Sequence, residues 1–254
     1  MYFNNIHILV YLFIGLLGCV VGQAIGLANE RLMNHERIIE KGSLKKFKDE
    51  FVPHYGLMTV MFILYAGIVY VTGIDKSNWY VNIKLISYLI LLPLLVSAFI
   101  IDLKKQIIPN RLVLTIFEAG LLITFFEGIN SPTGMTLALN RFEGMAAGAG
   151  IFLIITLLGG LIAGKEAMGM GDVKLMGALG LFFGFRNIIS ISVLSFLLGA
   201  IISLFLLISK IKKTDEYIPF GPFIVLGTFI SIFVPFEVIK HALLVIFSVG
   251  LYKG

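Results

Sequence analysis

Leu85-Ile86-Ser87-Tyr88-Leu89-Ile90-Leu91-Leu92-Pro93-Leu94-Leu95-Val96-Ser97-Ala98-Phe99-Ile100-Ile101-Asp102-Leu103-Lys104-Lys105 is an apolar run that stops on a carboxylate and two lysines. A helix crossing the hydrocarbon layer needs about 20 largely apolar residues, within a range of about 17 to 25. The stretch 84–101 meets that length, and runs of the same kind recur near 6–28, 57–74, 111–127, 142–163, 174–185, 187–208 and 218–235. The fold class expected is therefore all-α, a polytopic helical membrane protein with about eight transmembrane helices. The short, glycine-punctuated segment 174–185 is expected to be tilted or partly re-entrant. The tail 237–252 reads as a ninth span or as a helix lying on the interface.

Composition agrees with a membrane protein. The 254 residues are 58% hydrophobic and 14% charged, where soluble domains carry about 25% charge, and mean hydropathy is +0.98. A membrane β-barrel would instead show short alternating segments. Cys19 is the single cysteine, which rules out an internal disulfide or a cysteine-based zinc site; it reads as a small buried hydrophobe. The formal net charge of +5 reports loop orientation, not nucleic-acid binding. The stretch 6–28 reads as a retained span and not as a removed signal peptide, because no basic residue precedes it and it lacks a small-residue cleavage site followed by a soluble domain.

Loop charges set the direction of insertion. With the N-terminus outside, the inner loops hold 14 of the 20 Lys and Arg residues, including Arg31, Arg37, Lys45, Lys46, Lys104, Lys105, Arg111, Lys174, Lys212 and Lys213. Positive charge accumulates on the cytoplasmic side. Two spans separate Asp102 from Asp172, so both fall at that face. The chain reads as one integral membrane domain over 1–254, with a cytoplasmic loop at 29–56 that suggests a short amphipathic surface helix.

Charge beside hydrocarbon is costly, so membrane-edge carboxylates are functional candidates. Asp102 is followed by Lys104-Lys105-Gln106-Ile107-Ile108-Pro109-Asn110. Asp172 lies in Gly169-Met170-Gly171-Asp172-Val173-Lys174. Two carboxyls sharing one proton are the working parts of an aspartic protease: one activates water and the other polarises the scissile carbonyl. Gly169 and Gly171 allow a tight turn and close approach of substrate. Pro109 bounds a helix, and Asn110 is an expected N-cap. A phosphate-binding loop is the rival for Gly-x-Gly-Asp, but no Gly-x-x-x-x-Gly-Lys-Ser/Thr pattern follows a strand. The glycines of 142–163 read as devices for close helix packing in lipid. Glu118, Glu127 and Glu143 read as structural, with Glu143 set to pair with Arg141 or with another helix. His35, His54 and His241 lack ligand-like spacing.

These motifs carry a family likeness. Ile101-Asp102-Leu103-Lys104-Lys105-Gln106-Ile107-Ile108-Pro109-Asn110 resembles the first aspartate motif of type IV prepilin peptidases. Glu166-Ala167-Met168-Gly169-Met170-Gly171-Asp172-Val173-Lys174-Leu175-Met176-Gly177-Ala178-Leu179-Gly180 resembles their second, and Ile218-Pro219-Phe220-Gly221-Pro222-Phe223 the signature opening their last core span. The likeness implies a peptidase core over 84–235, with Asp102 and Asp172 as its catalytic pair, among the Gly-x-Gly-Asp intramembrane aspartic proteases of the bacterial cytoplasmic membrane. It implies a prepilin or pseudopilin substrate whose short basic leader is cut at the cytoplasmic face. Glu166 matches the family's second motif, either tuning the pair or pairing with Lys165. Asp49, Glu50, Asp215 and Glu216 are candidates for attracting the leader.

Gly18 to Leu32 resembles a degenerate form of the family's opening helix. Loop 29–56 lacks the Cys-x-x-Cys pairs that many bifunctional members carry there, in the region tied to N-methylation. Proteolysis needs no cofactor; S-adenosylmethionine is implied as cosubstrate only if methylation is retained. Membrane lipid is an expected partner and nucleic acid is not. The alternative class is a small transporter or ion carrier, which would place its charges near broken helices at the bilayer midplane.

Overall fold

Apolar residues with the periodicity of a helix leave few options in lipid, where every backbone N–H and C=O must be bonded inside the segment. The computed structural model describes residues 2–3, 6–34, 52–75, 78–163, 168–210 and 218–248. Among them, two two-residue strands (Tyr2–Phe3 and Ile6–His7) form a small hairpin, and all other regular structure is helical. The helices are α1 (Ile8–Met33), α2 (Tyr55–Thr72), α3 (Trp79–Lys105), α4 (Asn110–Asn130), α5 (Gly134–Ala163), α6 (Met170–Ile208), α7 (Gly221–Phe233) and α8 (Phe236–Phe247). The first six are long and apolar enough to cross a membrane. The chain is an all-α polytopic membrane protein. It divides into two compact units, Met1–Lys105 and Gln106–Gly254.

In the first unit α1 turns its small residues inward. Gly18 and Gly22 touch the α2 backbone, where an added Cβ would meet Met61 O and Leu57 O, each at 2.6 Å. Leu12, Phe13, Leu16 and Val20 face outward. This inversion is expected in lipid, where helices gain from close backbone contact and not from burying leucines. Cys19 is half-buried. Gln23, itself buried, clamps the approach to α2: its Nε2 donates to Val52 O at 2.7 Å and its Oε1 accepts from His54 N–H at 2.8 Å.

Helix α3 contains Pro93, which has no N–H to give to the Leu89 carbonyl. The Tyr65 hydroxyl donates to that carbonyl instead, at 2.7 Å. This ties α2 to α3 at the one point where the α3 ladder is interrupted by sequence.

In the second unit α6 is not one straight rod. Gly184 has φ 71° and ψ 177°, a left-handed setting that glycine adopts without steric cost. The chain folds back there. A Cβ on Gly148 would lie 2.5 Å from Met176 O and 3.0 Å from Ile188 Cγ1, although those residues would be about 18 Å apart along a straight helix. Residues 170–183 (α6a) and 185–208 (α6b) are therefore antiparallel neighbours. Helix α6a extends only about 21 Å, shorter than a hydrocarbon thickness of about 30 Å.

The tail helix α8 is 12 residues long; its Glu237 and Lys240 form an exposed ion pair at 2.6 Å. The expected surface helix of loop 29–56 falls largely in 35–51, outside the described residues.

Candidate active site

Asp102 occupies the last turn of α3 and is 4% exposed. Lys104 and Lys105 follow in the same turn, where cations complement the negative end of a helix. The helix ends because Gln106 takes a left-handed conformation at φ 55°. Asp102 belongs to the first compact unit.

Asp172 belongs to the second, in the first turn of α6a, and it too is 4% exposed. Gly169 is the N-cap, and the Asp172 N–H bonds the Gly169 carbonyl at 3.0 Å. A negative charge at 172 thus sits at the positive end of its helix, and one at 102 at the negative end of its own. The two carboxyls differ in backbone environment before any side chain is considered.

The turn expectation for the two glycines is corrected. Gly169 has φ −70° and ψ 140°, open to any residue, and Gly171 is helical. Gly171 instead permits close approach: a Cβ there would stand 3.1 Å from Ile108 Cβ. Asn110 is corrected as well. Pro109 is the N-cap of α4, its carbonyl receiving Leu112 N–H at 3.0 Å, while Asn110 Oδ1 accepts from Lys174 Nζ at 3.0 Å. That bond ties Asn110, the first residue of α4, to the helix carrying Asp172.

The α5–α6a contact sets the level of Asp172. The Cβ positions of Gly144 and Gly148 abut Gly180 O and Met176 O, an antiparallel register that brings Phe152 level with Asp172 one turn further on. Phe152 is fully buried. Its ring lies 5.1 Å from Phe196 and 5.9 Å from Phe220, and Phe220 lies 5.7 Å from Phe223. The third motif therefore contributes its aromatic rings to a dry cluster at this level. Pro222 falls in the first turn of α7, where a missing N–H costs nothing.

An apolar groove of about 300 Å³ runs between α4, α5 and α6a, lined by Val113, Phe117, Met145 and Gly177, with Asn110 and Lys174 as its polar groups. On a helical projection Lys174, Gly177 and Ala178 lie roughly opposite Asp172. The groove is thus on the other face of α6a from the candidate carboxylate.

The pairing expected of Glu143 is corrected: Arg141 bonds Glu127, both buried, while Glu143 is exposed. Glu127 and Arg141 are 14 residues apart across the α4–α5 turn, and no spacing rule links them. Tyr65 was equally unmarked, although Pro93 announces an unbonded carbonyl four residues earlier. His54 lies against Gly26, with Nε2 3.8 Å from Glu30 Oε1. Among the described residues no three of His, Cys, Asp and Glu gather as metal ligands. His35, Asp49, Glu50, Lys165, Glu166, Asp215 and Glu216 lie outside the described residues.

Residues 89–204 match the model of the type IV leader peptidase family, a segment that includes both aspartates. The prepilin leader peptidase/N-methyltransferase of Aeromonas salmonicida (strain A449) is 32% identical over 149 residues, 58% of this chain and 48% of that protein. The protein of the same name from Legionella pneumophila is 31% identical over 166 residues, 62% of this chain and 53% of the relative. A type 4 prepilin-like proteins leader peptide-processing enzyme of Escherichia coli O78:H11 is 27% identical over 181 residues, 71% of this chain and 60% of the relative. The chain spans about half the length of the first curated relatives it matches. No solved structure matches significantly. On the matched segment and the motifs within it, the chain is similar to the type IV leader peptidase family over residues 89–204.

Proposed function

We propose that the protein is an aspartic endopeptidase of the bacterial cytoplasmic membrane, removing the short basic leader from prepilins or pseudopilins at the cytoplasmic face. One observation carries the reading: within the family-matched segment, two aspartates close or open long apolar helices, each 4% exposed. Buried carboxylates at a membrane edge are costly and are kept for chemistry. The relatives' printed names, which speak of prepilin leader processing, support the substrate class.

In this reading Asp102 and Asp172 hold one proton between them. The ionised partner takes a proton from water as the water attacks the carbonyl before the cleavage point. The protonated partner donates to the developing oxyanion and stabilises the tetrahedral intermediate. As the tetrahedral intermediate collapses and its C–N bond breaks, the proton taken from water passes to the leaving amine, and the pair is left again with one shared proton. The aromatic cluster around Phe152 keeps bulk water from that level of the unit, which strengthens each electrostatic contact.

The relatives' names also include an N-methyltransferase. Methylation of the new N-terminus would draw its methyl group from S-adenosylmethionine. Most of loop 29–56 lies outside the described residues, and no residues are assigned to hold that cosubstrate.

The test is direct. Purified Asp102→Asn and Asp172→Asn proteins are incubated in detergent with a prepilin, and the pilin mass is read. Both variants should insert normally and leave the leader attached, and either change should cost nearly as much as the pair, because the two groups act as a unit. Full cleavage by either variant removes the protease reading.

A further inference from the structure

The helix that carries Asp172 is anchored at its other end by side chains from two different helices. Where the chain reverses at Gly184, the bond that Phe185 N–H would make to the Leu181 carbonyl cannot form. Both halves of that lost bond are taken up elsewhere. Arg141 Nη1 donates to Leu181 O at 3.0 Å, and Thr124 Oγ1, which also bonds Gly120 O at 2.8 Å, reaches Leu181 O at 3.2 Å. Asn140 Oδ1 accepts from Phe185 N–H at 3.3 Å. Asn187 Nδ2 donates to the Phe183 carbonyl at 3.1 Å. The Arg141 guanidinium is held in turn by Glu127, whose side chain is 1% exposed.

Thr124 has a single hydroxyl hydrogen, held mainly by Gly120 O at 2.8 Å, so Arg141 is the principal donor to Leu181 O; yet one neutral donor would satisfy that carbonyl. A guanidinium with a buried carboxylate behind it exceeds that need, and desolvating two charges is expensive. What arginine adds is a planar fork with fixed donor directions. Bound to Glu127 on α4 and to Leu181 on α6a, it locks the angle at which α6a leaves the reversal. Asn140, its neighbour in sequence, fixes the start of α6b.

We propose that Glu127, Arg141 and Asn140 are positioning residues for Asp172. They set the tilt of residues 170–183 from the Gly184 end, so that the carboxylate at the other end is delivered to one place. The proposal rests on Asp172 being a catalytic carboxylate. The lever is long: Asp172 lies 12 residues from Gly184, about 18 Å along the helix. A change in tilt of roughly 3° therefore moves it about 1 Å, a misplacement that can cost on the order of 100-fold in rate.

The experiment uses the full chain in detergent with a prepilin substrate. Rates are expressed per folded molecule, with the folded fraction read by thermal unfolding. Asn140→Leu removes the acceptor of Phe185 N–H, and Asn140→Asp keeps it. The double variant Glu127→Gln/Arg141→Gln removes both buried charges. Asn140→Leu and the double variant should lower kcat by about 10- to 100-fold with KM changed less than about twofold, and Asn140→Asp should return kcat to near the wild-type value.

Wild-type kcat per folded molecule in Asn140→Leu and the double variant, losses that only follow the folded fraction, or failure of Asn140→Asp to restore turnover would each overturn the proposal. Should the double variant not fold, the two Asn140 variants decide alone, since Asn140 is exposed and tolerates either side chain. Asp172→Asn is run beside them. If that variant still cleaves, it is the protease reading that fails; if it is inactive while Asn140→Leu turns over normally, only the positioning role fails.

Discussion

A single methyl group added at Gly144 should push the Asp172 helix off its seat on α5. A Cβ built there lies 2.6 Å from the Gly184 carbonyl carbon and 2.7 Å from Gly180 O, whereas ordinary contact begins at 3.4 Å. Both neighbours are backbone, so no rotamer change relieves the clash, and the two helices must separate by about 0.8 Å. A gap of that size forfeits a quarter to a half of the dispersion attraction along the contact. Overpacking of this kind costs about 1–3 kcal/mol, and rigid backbone puts Gly144→Ala at the upper end. Replacing glycine by alanine in a helix returns about 1 kcal/mol, which leaves a net loss of about 2 kcal/mol. Gly150 on the same helix has nothing within 4 Å of its Cβ position, so Gly150→Ala collects the helix gain without the clash. Thermal unfolding of both variants in one detergent should therefore show shifts of opposite sign. Prepilin cleavage per folded molecule should fall in Gly144→Ala alone. Equal shifts in the two variants, or an unperturbed Gly144→Ala, would refute the backbone contact between α5 and α6a.

Other expectations follow from the same contacts. Arg141→Leu leaves the Glu127 carboxylate buried without its cation and should cost about 3–5 kcal/mol, whereas Glu127→Leu/Arg141→Leu together should cost much less; unfolding midpoints of the single and double variants check this. Tyr65→Phe strands the Leu89 carbonyl beside Pro93 and should destabilise the protein by about 1–3 kcal/mol, seen as a lowered midpoint with the helical signal retained. Gln23→Leu removes two bonds to the 52–54 segment and should make that segment the first to be cut in limited proteolysis, with the α6a region unaffected. A fragmentation pattern identical to wild type would contradict the clamp.

Much of this was legible in the chain as written. Apolar runs of span length fix the fold class, since no other structure satisfies the backbone in lipid. The aspartates at 102 and 172, with the Pro109 and Gly169-Met170-Gly171 stretches beside them, mark the candidate chemistry and the family the chain resembles. The separate runs 174–185 and 187–208 imply a break near residue 186, and the structure places it at Gly184. These are local signals, and local sequence carries them because they depend on spacing along a single element.

The tertiary structure decided the rest, because it depends on which helices meet. Nothing along the chain pairs Glu127 with Arg141 in preference to Glu143, or gives Arg141 to the Leu181 carbonyl; those partners are chosen by the α4–α5–α6a packing. Asn110 caps nothing and instead receives Lys174, a residue 64 positions away. Sequence determined that two carboxylates stand at the ends of membrane helices. Packing determined their surroundings, because a backbone group freed by Pro93 or Gly184 in a dry interior must be met by whichever side chain the neighbouring helix places there.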